Sequence, residues 1–226
     1  DVISSAFQSA GQRCSALRVL FVQDDVADGM IKMIAGAMEA LKVGDPREID
    51  TDVGPAIDEA AKKDLDAHLD WLDQNAKRIC RLPLPNEAAH GSFVSPAFYE
   101  IQSLSQLNRE NFGPILHVVR FPADGLEQVV EDINATGYGL TLGLQSRIDT
   151  VRDYVEEHAR VGNFYVNRNQ IGAVVESQPF GGEGLSGTGP KAGGPHYVAR
   201  FATERVTCID TTAAGGNASL MAAIEG

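Results

Sequence analysis

The sequence predicts an α/β chain whose largely parallel sheet carries helices on both faces. Three observations predict it: short β-branched apolar runs recur, stretches with apolar residues at helical spacing separate them, and those stretches are long enough to be crossovers. The 226 residues suffice for one domain, or one and a half.

In chain order, residues 17–22 form a β-branched run and read as a strand. Asp24 or Asp25 caps a helix carrying Val26, Met30, Met33, Ala37 and Leu41 at helical spacing, which ends near Gly44. Ala61, Leu65, Leu69 and Leu72 share one face of a second, scaffold helix over about residues 58–75. Residues 115–121 read as a strand, 124–135 as a capped helix, 140–145 as a strand, 149–159 as a helix and 161–167 as a strand. In parallel sheets, chemistry sits on loops leaving the carboxyl ends of strands, and the segment after Asn167 is a long loop of that kind. Residues 205–210 read as an edge strand, and the small, glycine-rich stretch 211–217 as a strap that a partner subunit would order. No internal repeat is present.

The net charge of -12 opposes binding to phosphate backbones, so nucleic acid is excluded as a partner of this segment. Hydrophobic residues at 43% are ordinary for a globular chain, and no apolar stretch reaches membrane-spanning length. Cys14, Cys80 and Cys208 are odd in number and widely spaced, which fits reduced thiols in the cytoplasm. Neither the cysteines nor the five histidines show metal-ligand spacing, and no metal is expected.

Cys14 closes the stretch Phe7-Gln8-Ser9-Ala10-Gly11-Gln12-Arg13-Cys14, the pattern F-x-x-x-G-Q-x-C. A thiol becomes a nucleophile only as the thiolate, which backbone N–H groups near Gly11 and the charge of Arg13 would favour. A lone cysteine is more often a small buried residue, so the pattern needs support elsewhere. Glu110-Asn111-Phe112-Gly113-Pro114 and Pro179-Phe180-Gly181-Gly182, followed by Ser186-Gly187, supply it. With the cysteine motif, and in this order, they resemble the aldehyde dehydrogenase superfamily.

That resemblance implies that Cys14 attacks an aldehyde carbonyl, that Glu110 binds the nicotinamide ribose of NAD, and that Phe112 packs beside the nicotinamide. It also implies that the coenzyme-binding domain, the general base and the oxyanion asparagine lie upstream. No G-x-G-x-x-G follows a strand here, and no E-L-G-G-K segment is present. Residues 1–204 are therefore expected to be a catalytic-domain fragment held apart from its coenzyme domain. Residues 205–226 are expected to be a carboxyl-terminal strand and tail that serves oligomerisation, and the isolated piece to be nearly inactive.

A closer resemblance lies in residues 162–168, Ile171-Gly172-Ala173, residues 178–182 and residues 191–197, supported by residues 9–18 and 211–217. They look like the glutamate semialdehyde (1-pyrroline-5-carboxylate) dehydrogenases, most of all the carboxyl-terminal part of bacterial bifunctional proline utilization proteins. This implies oxidation of L-glutamate γ-semialdehyde in proline catabolism, with FAD present only if a proline-oxidising domain precedes. It implies that Gly172 and Ala173 grip the substrate carboxylate, that Ser15 places a hydroxyl beside the nucleophile, and that Phe7 and Phe180 line the aldehyde tunnel. A homo-oligomer is expected. Glu183-Gly184 departs from the superfamily, where lysine often follows the paired glycines. Cys80 and Cys208 match no motif position and are expected to alkylate more slowly than Cys14. Two other readings stay open: a dehydrogenase for another aldehyde, and an inactive oligomerisation segment.

Overall fold

The structure is a computed structural model that describes residues 1–187, 189–210 and 222–223. Its regular elements are α1 (Val2–Phe7), β1 (Val19–Gln23), α2 (Asp24–Glu39), α3 (Glu59–Asn75), β2 (Lys77–Arg81), β3 (Ala97–Glu100) and β4 (Ile115–Phe121). They continue with α4 (Leu126–Ala135), β5 (Tyr138–Gly139), β6 (Thr141–Leu144), α5 (Asp149–His158), β7 (Asn163–Val166) and β8 (Glu183–Gly184).

The main sheet has the order β1-β4-β3-β2. β1 pairs parallel with β4 and β4 with β3, and only β2 runs antiparallel. β4 is central, and its sequence shows why: side chains alternate across a sheet, and this strand is buried on both faces. Leu116 and Val118 join the core formed by Phe7 of α1 and Ala27, Ile31, Ile34 and Met38 of α2. Ile115 and Val119 join the opposite core, built by Leu65, Leu69 and Leu72 of α3. Helices thus cover both faces, as the sequence predicts.

The stripe expected on the first long helix is corrected. Val26, Met30, Met33 and Ala37 face solvent, while Ala27, Ile31, Ile34 and Met38 face the core. The two stripes lie one residue apart, about 100° around the helix, and the β-branched isoleucines take the buried side. Asp24 and Asp25 sit in the first turn of α2 rather than at its cap, which is Gln23; carboxylates there still favour the helix dipole. Asp58 is a true cap for α3, accepting from the Ala61 N–H at 2.7 Å.

The later part of the chain makes two further two-stranded sheets, β6 parallel to β7 and β5 antiparallel to β8. Residues 202–210 carry no strand, so the expected edge strand over 205–210 is absent. All nine of these residues are exposed. The expected strap, residues 211–217, lies outside the described residues.

Candidate active site

Cys14 stands just after a turn in left-handed conformation. Ser9, Ala10 and Gly11 have φ of 57°, 53° and 64° in succession. For Ser and Ala each such residue costs roughly 1 to 2 kcal/mol, so surrounding contacts must hold them. Ala10 is buried, Arg13 Nε donates to Ser9 Oγ at 3.0 Å, and the Gln12 N–H closes on Ser9 O at 3.0 Å. The Gln12 side chain reaches across to the loop before α3, donating to Pro55 O at 3.0 Å and accepting from the Ile57 N–H at 2.7 Å. The thiol emerges exposed at the end of this brace.

Gly11 explains the glycine of the cysteine motif. A Cβ there would lie 2.2 Å from the carbonyl oxygen of Gly113, so the Cys14 turn rests directly on the backbone of the Glu110–Gly113 loop. Two motifs distant in sequence are thereby packed backbone to backbone.

Arg18 joins them chemically. Its guanidinium donates to Gly11 O at 2.5 Å and Arg13 O at 3.1 Å on the nucleophile turn, and to Glu110 Oε1 at 3.0 Å on the other loop. Its carbon lies 4.6 Å from the centre of the Phe112 ring, a cation–π contact. Burial lowers the Arg18 pKa, opposed by the charge and hydrogen bond of Glu110 and, more weakly, by the charge of Cys14. Arg13, the cation expected beside the thiol, donates to Ser9 Oγ, and Arg18 is a second cation within electrostatic reach of Cys14.

Behind the thiol, the Ser15 carbonyl accepts from Gln170 Nε2 at 3.2 Å and Thr141 Oγ1 at 3.3 Å. The Gln170 N–H donates to Ser5 Oγ at 3.2 Å. Gln170 directly precedes Ile171-Gly172-Ala173, so one buried side chain ties the expected carboxylate-anchoring loop to the residue after the nucleophile. Gly172 has φ of +73° and open space where a Cβ would point. A third link runs through β4: His117 Nδ1 lies 2.9 Å from Arg18 O, and its Nε2 lies 2.9 Å from His68 Nε2.

The Pro179–Gly182 segment is fastened to β7. Asn163 Nδ2 donates to Pro179 O at 2.9 Å and its Oδ1 accepts from the Gly181 N–H at 3.1 Å. Phe180 pairs with Ala192 through two backbone bonds of 2.8 and 2.9 Å, which leaves its ring partly exposed.

Of the residues singled out from the sequence, Cys14, Glu110 and Phe112 converge through Arg18, and Ser15 meets the Gly172–Ala173 loop through Gln170. Phe7 does not present itself to a ligand: it is 1% exposed and belongs to the core with α2. Its ring fills the interior beneath the nucleophile turn. Sequence reasoning missed Arg18, Gln170 and His117, because each acts on a group far away in the chain and no local spacing marks such a pair.

Glu110 and Phe112 offer chemistry that would suit a nicotinamide ribose. Arg18 occupies Glu110 Oε1, while Oε2 has no partner among the described residues and remains an acceptor for ribose hydroxyls. Phe112 is 42% exposed, a large aromatic surface next to the turn that carries the thiol. Among the described residues no three His, Cys, Asp or Glu side chains form a metal-holding group, and no helix is long and apolar enough to cross a membrane.

Comparison with known proteins shows the family. Residues 1–207 match the model of the aldehyde dehydrogenase family. Bifunctional protein PutA of Klebsiella aerogenes is 50% identical over 210 residues, covering 91% of this chain and 16% of that protein. The 1-pyrroline-5-carboxylate dehydrogenase of Geobacillus sp. (strain WCH70) is 34% identical over 202 residues, 88% of this chain and 38% of that one. Among solved structures, a variant of proline utilization A (PutA) from Bradyrhizobium japonicum superposes with a TM-score of 0.89 at 58% identity, covering 95% of this chain and 22% of that chain. A 1-pyrroline-5-carboxylate dehydrogenase from Thermus with bound NAD gives 0.81 at 30% identity, covering 88% of this chain and 38% of that chain. The chain thus spans about a sixth of the length of the PutA relatives it matches.

Proposed function

The chain belongs to the aldehyde dehydrogenase family, and on that premise we propose that it carries the nucleophile region of an NAD-dependent dehydrogenase that oxidises L-glutamate γ-semialdehyde to L-glutamate in proline catabolism. The observation that carries the reading is the exposed Cys14 thiol on a strained, braced turn that packs against the Glu110–Phe112 loop. Strain of this kind persists where a reactive group must be held in one geometry.

In this reading the Cys14 sulfur bonds the aldehyde carbon, and the carbonyl π pair moves to oxygen as an oxyanion. The Cys14 backbone N–H is one donor for that oxyanion. NAD, when bound, accepts the hydride lost from the same carbon. The carbonyl then re-forms as a thioester on Cys14, water that gives a proton to a general base outside this chain adds to it, and the carbon–sulfur bond breaks with its electron pair returning to sulfur. Glu110 would accept from the ribose and Phe112 would pack against the nicotinamide of bound NAD. Backbone N–H groups at Gly172 and Ala173 bind the substrate's α-carboxylate at the far end, Ser15 offers a hydroxyl beside the nucleophile, and Phe180 lines the approach.

The wider protein is proposed to be cytoplasmic, in keeping with its three unpaired thiols, with FAD bound only if a proline-oxidising domain is joined upstream. It is also proposed to be a homo-oligomer. Val174, Val175, Val198, Phe201, Val206 and Ile209 are all more than half exposed, apolar surface that a neighbouring copy would cover.

The test is steady-state NADH formation by the full-length protein with glutamate semialdehyde. Cys14→Ser is expected to lower kcat by at least about a thousandfold. Retention of full activity in that variant refutes the reading; equal turnover of propanal and the semialdehyde would point to another aldehyde.

A further inference from the structure

Arg18 and Glu110 stand 92 positions apart in sequence and share one charged hydrogen bond. We infer that Arg18 is a positioning residue which couples occupancy of the coenzyme ribose site at Glu110 to the geometry of the Cys14 turn. The inference rests on the functional reading above and adds to it a side chain that is neither the nucleophile nor a coenzyme contact.

The argument starts from the shape of the group. A guanidinium is a rigid plane with five donors, so a displacement at one edge is passed to the other. Here one plane spans both loops: two backbone carbonyls of the nucleophile turn, Gly11 O and Arg13 O, and the carboxylate of Glu110. The Arg18 side chain is 16% exposed, so these bonds are poorly screened by water. Its face also covers Phe112.

Hydroxyls of a ribose that donate to Glu110 at Oε2 draw on the same carboxylate charge that Arg18 uses at Oε1, and a nicotinamide beside Phe112 meets the ring that Arg18 covers. Either change weakens the hold at one end of the plane. At the other end the same plane fixes carbonyls on both sides of Gln12, immediately before the thiol. Because Gly11 packs on the Gly113 carbonyl, the turn has little room to absorb the shift elsewhere. Lysine has a single nitrogen and cannot bridge three acceptors in one plane.

The experiment measures iodoacetamide alkylation at Cys14 in the full-length protein, site by site by mass spectrometry, with and without saturating NAD. Wild type, Arg18→Lys and Glu110→Gln are compared, with melting curves for each. In wild type the ratio of the two rates is expected to differ from one by at least about fivefold, in the range of ordinary allosteric coupling. In both variants it falls to within about twofold of one. A coenzyme effect of wild-type size in Arg18→Lys means simple shielding of the thiol and overturns the inference, as does the absence of any effect in wild type. If Arg18→Lys does not fold, Glu110→Gln decides by the same criteria, since it leaves the Arg18 bonds to the turn in place. Labelling reports on Cys14 whether or not it is the nucleophile, so failure here is separable from failure of the Cys14→Ser activity test.

Discussion

His68 and His117 meet Nε2 to Nε2 at 2.9 Å, one imidazole donating to the other inside the sheet–helix core. The tautomers follow from the partners. His117 Nδ1 faces the Arg18 carbonyl, which can only accept, so Nδ1 carries the proton and Nε2 is the acceptor. His68 must then donate from Nε2. Protonating His117 at Nε2 puts two N–H groups against each other unless His68 changes tautomer.

This fixes a pH dependence of stability. Burial pushes His117 down to about 4, opposed by its bond to the Arg18 carbonyl and assisted by His68; burial, then Arg109, pushes His68 down to about 4. An unfolded histidine titrates near its ordinary value of about 6.5. Between those values the unfolded chain binds protons that the folded chain refuses, so stability is full above about pH 6.5 and falls as pH drops towards 4. The slope for His117 is at most on the order of 1.4 kcal/mol per pH unit. Urea unfolding midpoints at pH 7.5, 6.5 and 5.5 should be level over the first interval and drop over the second. A level midpoint throughout would show that the pair is not neutral in the fold.

Gly11→Ala tests the packing of the two glycine motifs. The new Cβ meets the Gly113 oxygen at 2.2 Å and the Ala6 oxygen at 2.9 Å, and φ is +64°. Both obstacles are backbone, so the nucleophile turn or the Glu110 loop must move. A stability loss of about 1 to 3 kcal/mol is expected from the backbone conformation. A displacement near 1 Å at the thiol costs activity on the order of a hundredfold. Thermal melts and kcat of the full-length variant measure the two, and activity within twofold of wild type would contradict the packing.

Cys14 and Cys80 should separate by reactivity. Cys14 is exposed at the end of its turn, whereas Cys80 in β2 is half-buried, and burial followed by the charge of Glu39 raises its pKa. Alkylation proceeds through the thiolate, so Cys14 is expected to be modified first and Cys80 well behind it. Iodoacetamide time courses read by peptide mapping give the order, and earlier labelling of Cys80 would remove Cys14 as the reactive thiol.

Strong local patterns in the sequence translate into the fold. The helix with Leu65, Leu69 and Leu72 on one face starts at the predicted boundary, residue 58, because propensity, capping and burial agree there. β2 was not foreseen: Lys77, Arg78 and Arg81 make a sheet-edge strand of basic side chains that reads as loop. β3 was missed because Ala97–Glu100 is too short to show a period, although three of its four residues are buried. At the site, Cys14 and Glu110 were legible because they lie in ordered motifs. Arg18 was not singled out, since an arginine at the mouth of a strand looks like any surface cation until the fold brings Glu110 to it.

Gln170 offers the sharpest test of how the substrate end communicates with the thiol. It is buried, its amide N–H groups reach Ser15 O and Thr141 Oγ1, and it stands immediately before the Ile171–Ala173 loop. Gln170→Ala leaves the Ser15 carbonyl with the longer Thr141 bond alone and opens space beneath that loop. The fold should lose about 1 kcal/mol, the net value of one such hydrogen bond. Catalysis should suffer unevenly. On the proposed function glutamate semialdehyde depends on both the thiol and the proposed anchoring N–H groups, so its kcat/KM is expected to fall by about tenfold or more, while propanal, with no carboxylate to anchor, loses only what the Cys14 turn loses. Parallel kinetics with the two aldehydes measure the difference. Equal losses would place the effect of Gln170 entirely at the nucleophile and remove its role in linking the two ends of the substrate site.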